Sequence, residues 1–287
     1  APILIASLNT HQVADSNAAA VASSGAVSSA QVGSVQAGIE AGGNPAQLAT
    51  LVTASVSAQN APAVVMAGAA TPAQAQAVVA GVGADGNAAQ LAALVTAGVS
   101  DTDAPAVVAA GADSTAQAEA VIAGIGADGN AAQLAALISG GISATNAPTF
   151  IASLNTHKVA DSNAKAVAAS GAVSSAQVGS VKAGMGAGGS AVQLAALVTG
   201  KVGTLDTPIL IASLNTHKVA DTNAKAVAAS GAVSSAQVGS VMAGMGAGGN
   251  AAQLAALISG GIPATNAPTF IASLNTHKVA DTNAAAV

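Results

Sequence analysis

Residues 151–181 read IASLNTHKVADSNAKAVAASGAVSSAQVGSV, and residues 211–241 read IASLNTHKVADTNAKAVAASGAVSSAQVGSV. One Ser/Thr exchange separates them. The match extends outward to a full unit of 60 residues, Ala147–Asp206 against Thr207–Asn266, with 45 of 60 positions identical. Repetition at this period is the mark of a repeat architecture, in which each unit buries its apolar face against its neighbours. Aligned on the same motif, the whole chain of 287 residues divides into units 1–60, 61–103, 104–146, 147–206, 207–266 and a partial unit 267–287, one array from end to end. The 43-residue units lack 17 residues, corresponding to PTFIASLNTHKVADSNA. That is about one helix plus one turn, so units differ by whole elements.

Within a long unit the apolar residues fall at i, i+3, i+4 and i+7, the helical spacing. In Thr207–Asn266 four helices are predicted. The first starts at Pro208 with Asp206 or Thr207 as cap, carries Ile211 and Leu214, and ends near Asn215. The second is capped by Asp221, passes through Ala224, Val227 and Ala228, and stops at Gly231. The third is capped by Ser234, carries Val238, Val241 and Met245, and stops in Gly246-Ala247-Gly248-Gly249. The fourth is capped by Asn250, carries Leu254, Leu257 and Ile258, and stops at Gly260-Gly261. Ser, Asp or Asn before a helix and Gly after it is the capping asymmetry expected at helix ends. The expected fold is all-α: an α-solenoid of short stacked helices, about 9–12 residues each, in 60- and 43-residue repeats. A β-solenoid or silk-like sheet is the rival. It is disfavoured because Ala is a strong helix former and a poor strand former, and because strict alternation is rare.

Composition narrows function. The chain has two aromatic residues, Phe150 and Phe270, with no Trp, Tyr or Cys. A conventional core of large aromatics is therefore absent, and stability has to come from many small, close contacts. Seven Lys, no Arg and twelve acidic residues give a net charge of −5, without a basic patch for nucleic acid. No apolar run reaches the roughly 18 residues of a membrane span, so no membrane insertion is expected. Without Cys, disulfides and thiolate metal sites are excluded. The chain opens at Ala1-Pro2 rather than Met, from which a processed, exported chain is expected, secreted or at the cell surface. The alternative is a window on a longer array.

The array's two ends resemble each other. APTFIASLNTHKVADTNAAAV (267–287) nearly repeats APILIASLNTHQVADSNAAAV (1–21), and Ala19 and Ala285 stand where interior copies carry Lys165 and Lys225. A capped solenoid normally makes its ends polar. These ends are apolar, so a head-to-tail homopolymer is expected, with Ala1, Pro2, Ile3, Leu4, Ala19, Phe270, Ala285 and Val287 as self-assembly residues.

Chemistry-bearing motifs are few. His11, His157, His217 and His277 all lie in LNTH(K/Q)VAD, each four residues before Asp15, Asp161, Asp221 or Asp281. They are the weak candidates for a metal site or an acid–base pair; the plainer reading is a loop residue copied with its unit, beside a capping Asp. GADGN at Gly83–Asn87 and Gly126–Asn130 contains part of a calcium loop but lacks its alternating ligands and terminal Glu, and reads as a turn followed by an Asn cap. GMGAGG at Gly184–Gly189 and Gly244–Gly249 has no strand before it and no Lys-Ser/Thr after it, so it is not a phosphate loop. No G-x-S-x-G setting marks a nucleophile. No catalytic residue and no cofactor are predicted, and the chain is not expected to be an enzyme. General resemblance is to α-helical repeat proteins; the lengths and signature residues of tetratricopeptide and ankyrin repeats are missing. The expected function is a structural filament, sheath or matrix fibre. A binding module, such as an adhesin stalk or an ice-binding surface, is the alternative.

Overall fold

The computed structural model describes residues 2–287, and among them every regular element is helical. Residues 1–60 hold α1 (Pro2–Thr10), α2 (Asp15–Ser23), α3 (Ser29–Glu40) and α4 (Pro45–Thr53). The short unit 61–103 holds α5 (Ala61–Met66), α6 (Pro72–Gly83) and α7 (Ala88–Thr96); 104–146 holds α8 (Ala104–Ala110), α9 (Thr115–Ile125) and α10 (Ala131–Ser139). The long units come next: α11 (Ala147–Thr156), α12 (Asp161–Ala169), α13 (Ser175–Gly186), α14 (Ala191–Thr199), then α15 (Thr207–Thr216), α16 (Asp221–Ala229), α17 (Ser235–Gly246), α18 (Ala251–Ser259). The chain closes with α19 (Ala267–Thr276) and a 3-10 helix, Asp281–Ala286. The helices gather into two compact units, residues 1–148 and 149–287.

These helices are 6–12 residues long, and α5 and α8 are shorter than the expected span. A helix of two or three turns is marginal by itself. Two features hold it. The first is a capping box: Ser, Thr or Asn at the N-cap accepts from the N–H three residues on, and the Gln at that position reaches back to the N-cap N–H. It recurs at α3, α4, α6, α7, α10, α13, α14, α17 and α18, and such a cap is worth about 1 kcal/mol.

The second feature is close packing of a glycine against two leucines. A Cβ placed on Gly184 of α13 would lie 2.7 Å from Leu197 Cδ1 and 2.8 Å from Leu194 Cδ2, both on α14. The same arrangement joins Gly244 of α17 to Leu257 and Leu254 of α18, and Gly81 of α6 to Leu94 and Leu91 of α7. The next unit fills the remaining side: Ile271 of α19 over Gly244, and Val108 of α8 over Gly81. With Phe150 the one aromatic side chain fully buried among the described residues, backbone approach supplies much of the contact area.

The missing 17 residues of a short unit remove one helix, as the length difference implies, but the remaining one is not simply a second helix. In unit 207–266, α15 packs on α13 and α17, whereas α16 packs on α14, α17 and α18. The single helix α5 packs on α3, α4, α6 and α7, and so replaces both. The predicted caps are partly corrected. Ser234 and Asn250 do cap α17 and α18. Asp221 does not cap α16: Ala220 is the N-cap, Asp221 is the first helical residue, and no side-chain cap bond forms. Asp206 precedes α15 without a side-chain cap bond either.

Candidate functional site

The motif with the richest chemistry, LNTH(K/Q)VAD, closes the first helix of every long unit and opens the second. Its residues go to separate neighbours. In the copy at 214–221, Leu214 is buried in the core. Asn215 Oδ1 accepts from Gln193 Nε2 of the preceding unit at 3.0 Å. Thr216 Oγ1 donates to Ala212 O of its own helix at 2.8 Å. His217 Nε2 lies 3.0 Å from Ser235 Oγ, at the first residue of α17. Asp221 Oδ1 accepts from Ser190 Oγ of the preceding unit at 3.2 Å.

The histidines repeat this placement. His11 Nε2 is 3.0 Å from Ser29 Oγ, and His157 Nε2 is 3.0 Å from Ser175 Oγ. Each ring lies over a glycine one turn into the third helix: a Cβ on Gly33 or Gly179 would come within 2.8 Å of the His11 or His157 Cε1, and on Gly239 within 3.1 Å of His217 Cε1. The imidazole thus fastens the first helix of a unit to the start of the third. A His–Ser hydrogen bond is one element of a nucleophilic site, whose third element is a carboxylate orienting the imidazole. Asp221 turns to Ser190, and Asp281 accepts from Asn250 Nδ2 at 2.9 Å. Among the described residues no three His, Asp or Glu side chains gather where a metal could bind. His277 is exposed and has no third helix after it among the described residues.

Gln193 and its equivalents were not singled out by sequence reasoning, yet they join the units. Gln193 Oε1 accepts from the Ser190 N–H while its Nε2 reaches Asn215. Gln253 does the same between Asn250 and Asn275, at 3.0 and 2.7 Å. Where a short unit comes next, the acceptor becomes a main-chain carbonyl: Gln47 Nε2 donates to Val65 O at 2.9 Å and Gln90 Nε2 to Val108 O at 3.0 Å. These glutamines are buried, so one side chain satisfies a helix terminus and a neighbour together. The usable signal was AQL, or VQL after Ser190, starting two residues past each Ser or Asn cap.

GADGN resolves into backbone geometry. Asp85 and Asp128 take φ of 60° and 59°, the left-handed position that Gly42, Gly188 and Gly248 occupy in the other units. They end α6 and α9. The calcium reading had no further support in the sequence, and this conformation accounts for the motif.

The residues expected to mediate self-assembly fall in the first and last segments. Ala1 lies outside the described residues. Pro2, Ile3, Ala19, Ala285 and Val287 are exposed; Leu4 and Phe270 are half-buried. Of the neighbouring residues, Ile5 and Ala22 are exposed and Leu8 and Ala18 are half-buried. Ile5 is 59% exposed, whereas its counterpart Ile211 in α15 is 0% exposed. Leu4 and Leu8 are half-buried, where Leu210 and Leu214 are fully buried. Ala18 and Ala22 are likewise more open than Ala224 and Ala228. The interior copy is covered by the third and fourth helices of the unit before it.

The chain matches no protein-family model, no curated protein and no solved structure. Among the described residues no helix is long and apolar enough to cross a membrane.

Proposed function

We propose that this chain is a structural repeat protein, an α-solenoid that associates end to end into a filament, sheath or matrix fibre outside the cell or at its surface. One observation carries the reading, a joint repeated from unit to unit: Gln193 and Gln253 each close a helix cap and reach an asparagine of the following unit. Within each compact unit the principal helix contacts join helices one or two apart in the chain, so each repeat mainly touches its neighbours. Copies that associate through two different surfaces add heterologously and do not have to close. His11, His157 and His217, and Asp221 and Asp281, are engaged in joining helices, which favours a scaffold over a catalyst.

Electron microscopy of the purified chain at rising concentration tests this. Uniform filaments are expected at high concentration. Separate particles at every concentration would refute it.

A further inference from the structure

Charge is divided unevenly between the two compact units. All seven lysines lie in residues 149–287, with four of the twelve acidic residues; residues 1–148 hold the other eight and no lysine. With histidine neutral, the first carries −8 and the second +3. The contrast is sharpest at one place in the repeat, where the linker after a unit's last helix faces the helix before that one.

In unit 147–206 this place is basic. Its linker is KVGTLD, residues 201–206, and Lys201 and Thr204 line a cavity with Ser174, Gln177 and Ser180 of the α13 segment. Thr204 Oγ1 and the His157 ring both rest on Gly179 of α13, 3.1 and 2.8 Å from a Cβ placed there. Lys182 lies three residues beyond Gly179, on the same helix face, and donates to His157 O. Lys158, Lys182 and Lys201 are all exposed around this contact. The linker's own carboxylate, Asp206, approaches Gly203, with Oδ2 3.6 Å from a Cβ there, and is outnumbered. Between Lys201 and Asp206 stands Leu205, 89% exposed. The sister unit 207–266 has Met242, Gly261 and Thr265 in place of Lys182, Lys201 and Leu205. The two units differ at 15 positions, and seven of these are 182 and 201–206, so divergence is concentrated on this patch.

In the short units the matching place is acidic. The linker GVSDTD, residues 98–103, carries Asp101 and Asp103. Asp101 shares a groove with Gln76 of α6, and Ser100 Oγ donates to Asp103 Oδ2 at 2.9 Å. The next unit has Glu119 of α9 at the position of Gln76, where the long units have Gly33, Gly179 and Gly239. Asp101 and Glu119 are exposed.

Resting on the self-assembly reading above, we propose that copies associate through these two patches: Lys158, Lys182 and Lys201 of one copy against Asp101, Asp103 and Glu119 of another, with Leu205 in the contact. The partner is a second copy because the chain itself supplies both signs of charge at the same place in different repeats, and complementary patches steer association and fix register. Like patches repel, so the contact is heterologous and does not have to close. Exposed charges are screened by salt, over about 10 Å at 0.1 M and about 3 Å at 1 M, so the joint weakens as salt rises.

Sedimentation velocity at rising concentration tests this with two charge-reversed chains, Lys158→Glu/Lys201→Glu and Asp101→Lys/Glu119→Lys. All four sites are exposed. The parent is expected to associate at low salt and about tenfold more weakly near 0.5 M salt. Each reversed chain alone is expected to associate at least about tenfold more weakly than the parent. Mixed together, the two are expected to associate again, since one then offers only acidic patches and the other only basic ones; that recovery also shows that both fold. Parent association indifferent to the reversals, or no recovery on mixing, would overturn the charged joint and leave self-assembly standing. No association of the parent at any concentration or salt would overturn both.

Discussion

Gly200→Ala separates two physical arguments by sign. Gly200 caps α14 with φ −80° and ψ −2°, a conformation alanine adopts without strain. Considered through the unfolded chain alone, the substitution stabilises by about 0.4–1 kcal/mol. The folded chain opposes this. The added Cβ would lie 2.7 Å from two main-chain atoms of Ala228, against an optimal separation of about 3.5–4.0 Å. Main chain cannot rotate aside, so α14 and α16 must part by roughly 0.8–1.3 Å, which forfeits about a quarter to a half of each affected dispersion contact. Overpacking of this kind costs about 1–3 kcal/mol. With the unfolded-state gain deducted, the net expectation is a loss of up to about 2.5 kcal/mol. Ala97→Gly is the counterpart at an end that precedes a short unit. It is expected to cost no more than about 1 kcal/mol, from unfolded-chain entropy alone. Urea unfolding followed by far-UV circular dichroism gives the overall change, and amide hydrogen exchange in α14 and α16 localises it. A Gly200→Ala chain more stable than the parent, with unchanged protection in α16, would refute the account of this contact.

Single contacts give further expected outcomes. Ser180 Oγ donates to Val202 O at 2.7 Å and Ser240 Oγ to Ile262 O at 2.6 Å, while the buried Ser34 Oγ finds no partner. Ser180→Ala should therefore cost about 1 kcal/mol and Ser34→Ala should stabilise, by up to about 1–3 kcal/mol, as read from urea midpoints. Gln193→Leu removes the return bond of the α14 capping box and the bond to Asn215, while Ser190 Oγ keeps the N–H of residue 193; a loss of about 1–3 kcal/mol is expected from the two bonds, with faster amide exchange at the α14 N-terminus. Lys218 is left-handed at φ 47°, so Lys218→Gly should stabilise by about 1 kcal/mol. An unchanged melting temperature would contradict that strain.

Much of the fold was written in short-range pattern. Ser or Asn before an apolar run, glycine after it and the 3.6-residue spacing located all four helices of the unit 207–266. What escaped the sequence was contact across units. Asp221 looks like a cap because it opens a helix, but its partner Ser190 lies 31 residues earlier, a distance no local rule spans. Gln193 was unremarkable until Asn215 was seen beside it. The shared histidine looked like a reactive group because its partner, Ser175 or Ser235, lies in another helix. The choice of Gly or Ala at the end of a unit's last helix was in plain view, yet its meaning depends on a backbone approach visible only once α16 is laid on α14.

Sedimentation velocity over a hundredfold range of concentration tests the central claim most directly. The account predicts a sedimentation coefficient that climbs with concentration. A flat coefficient would contradict it.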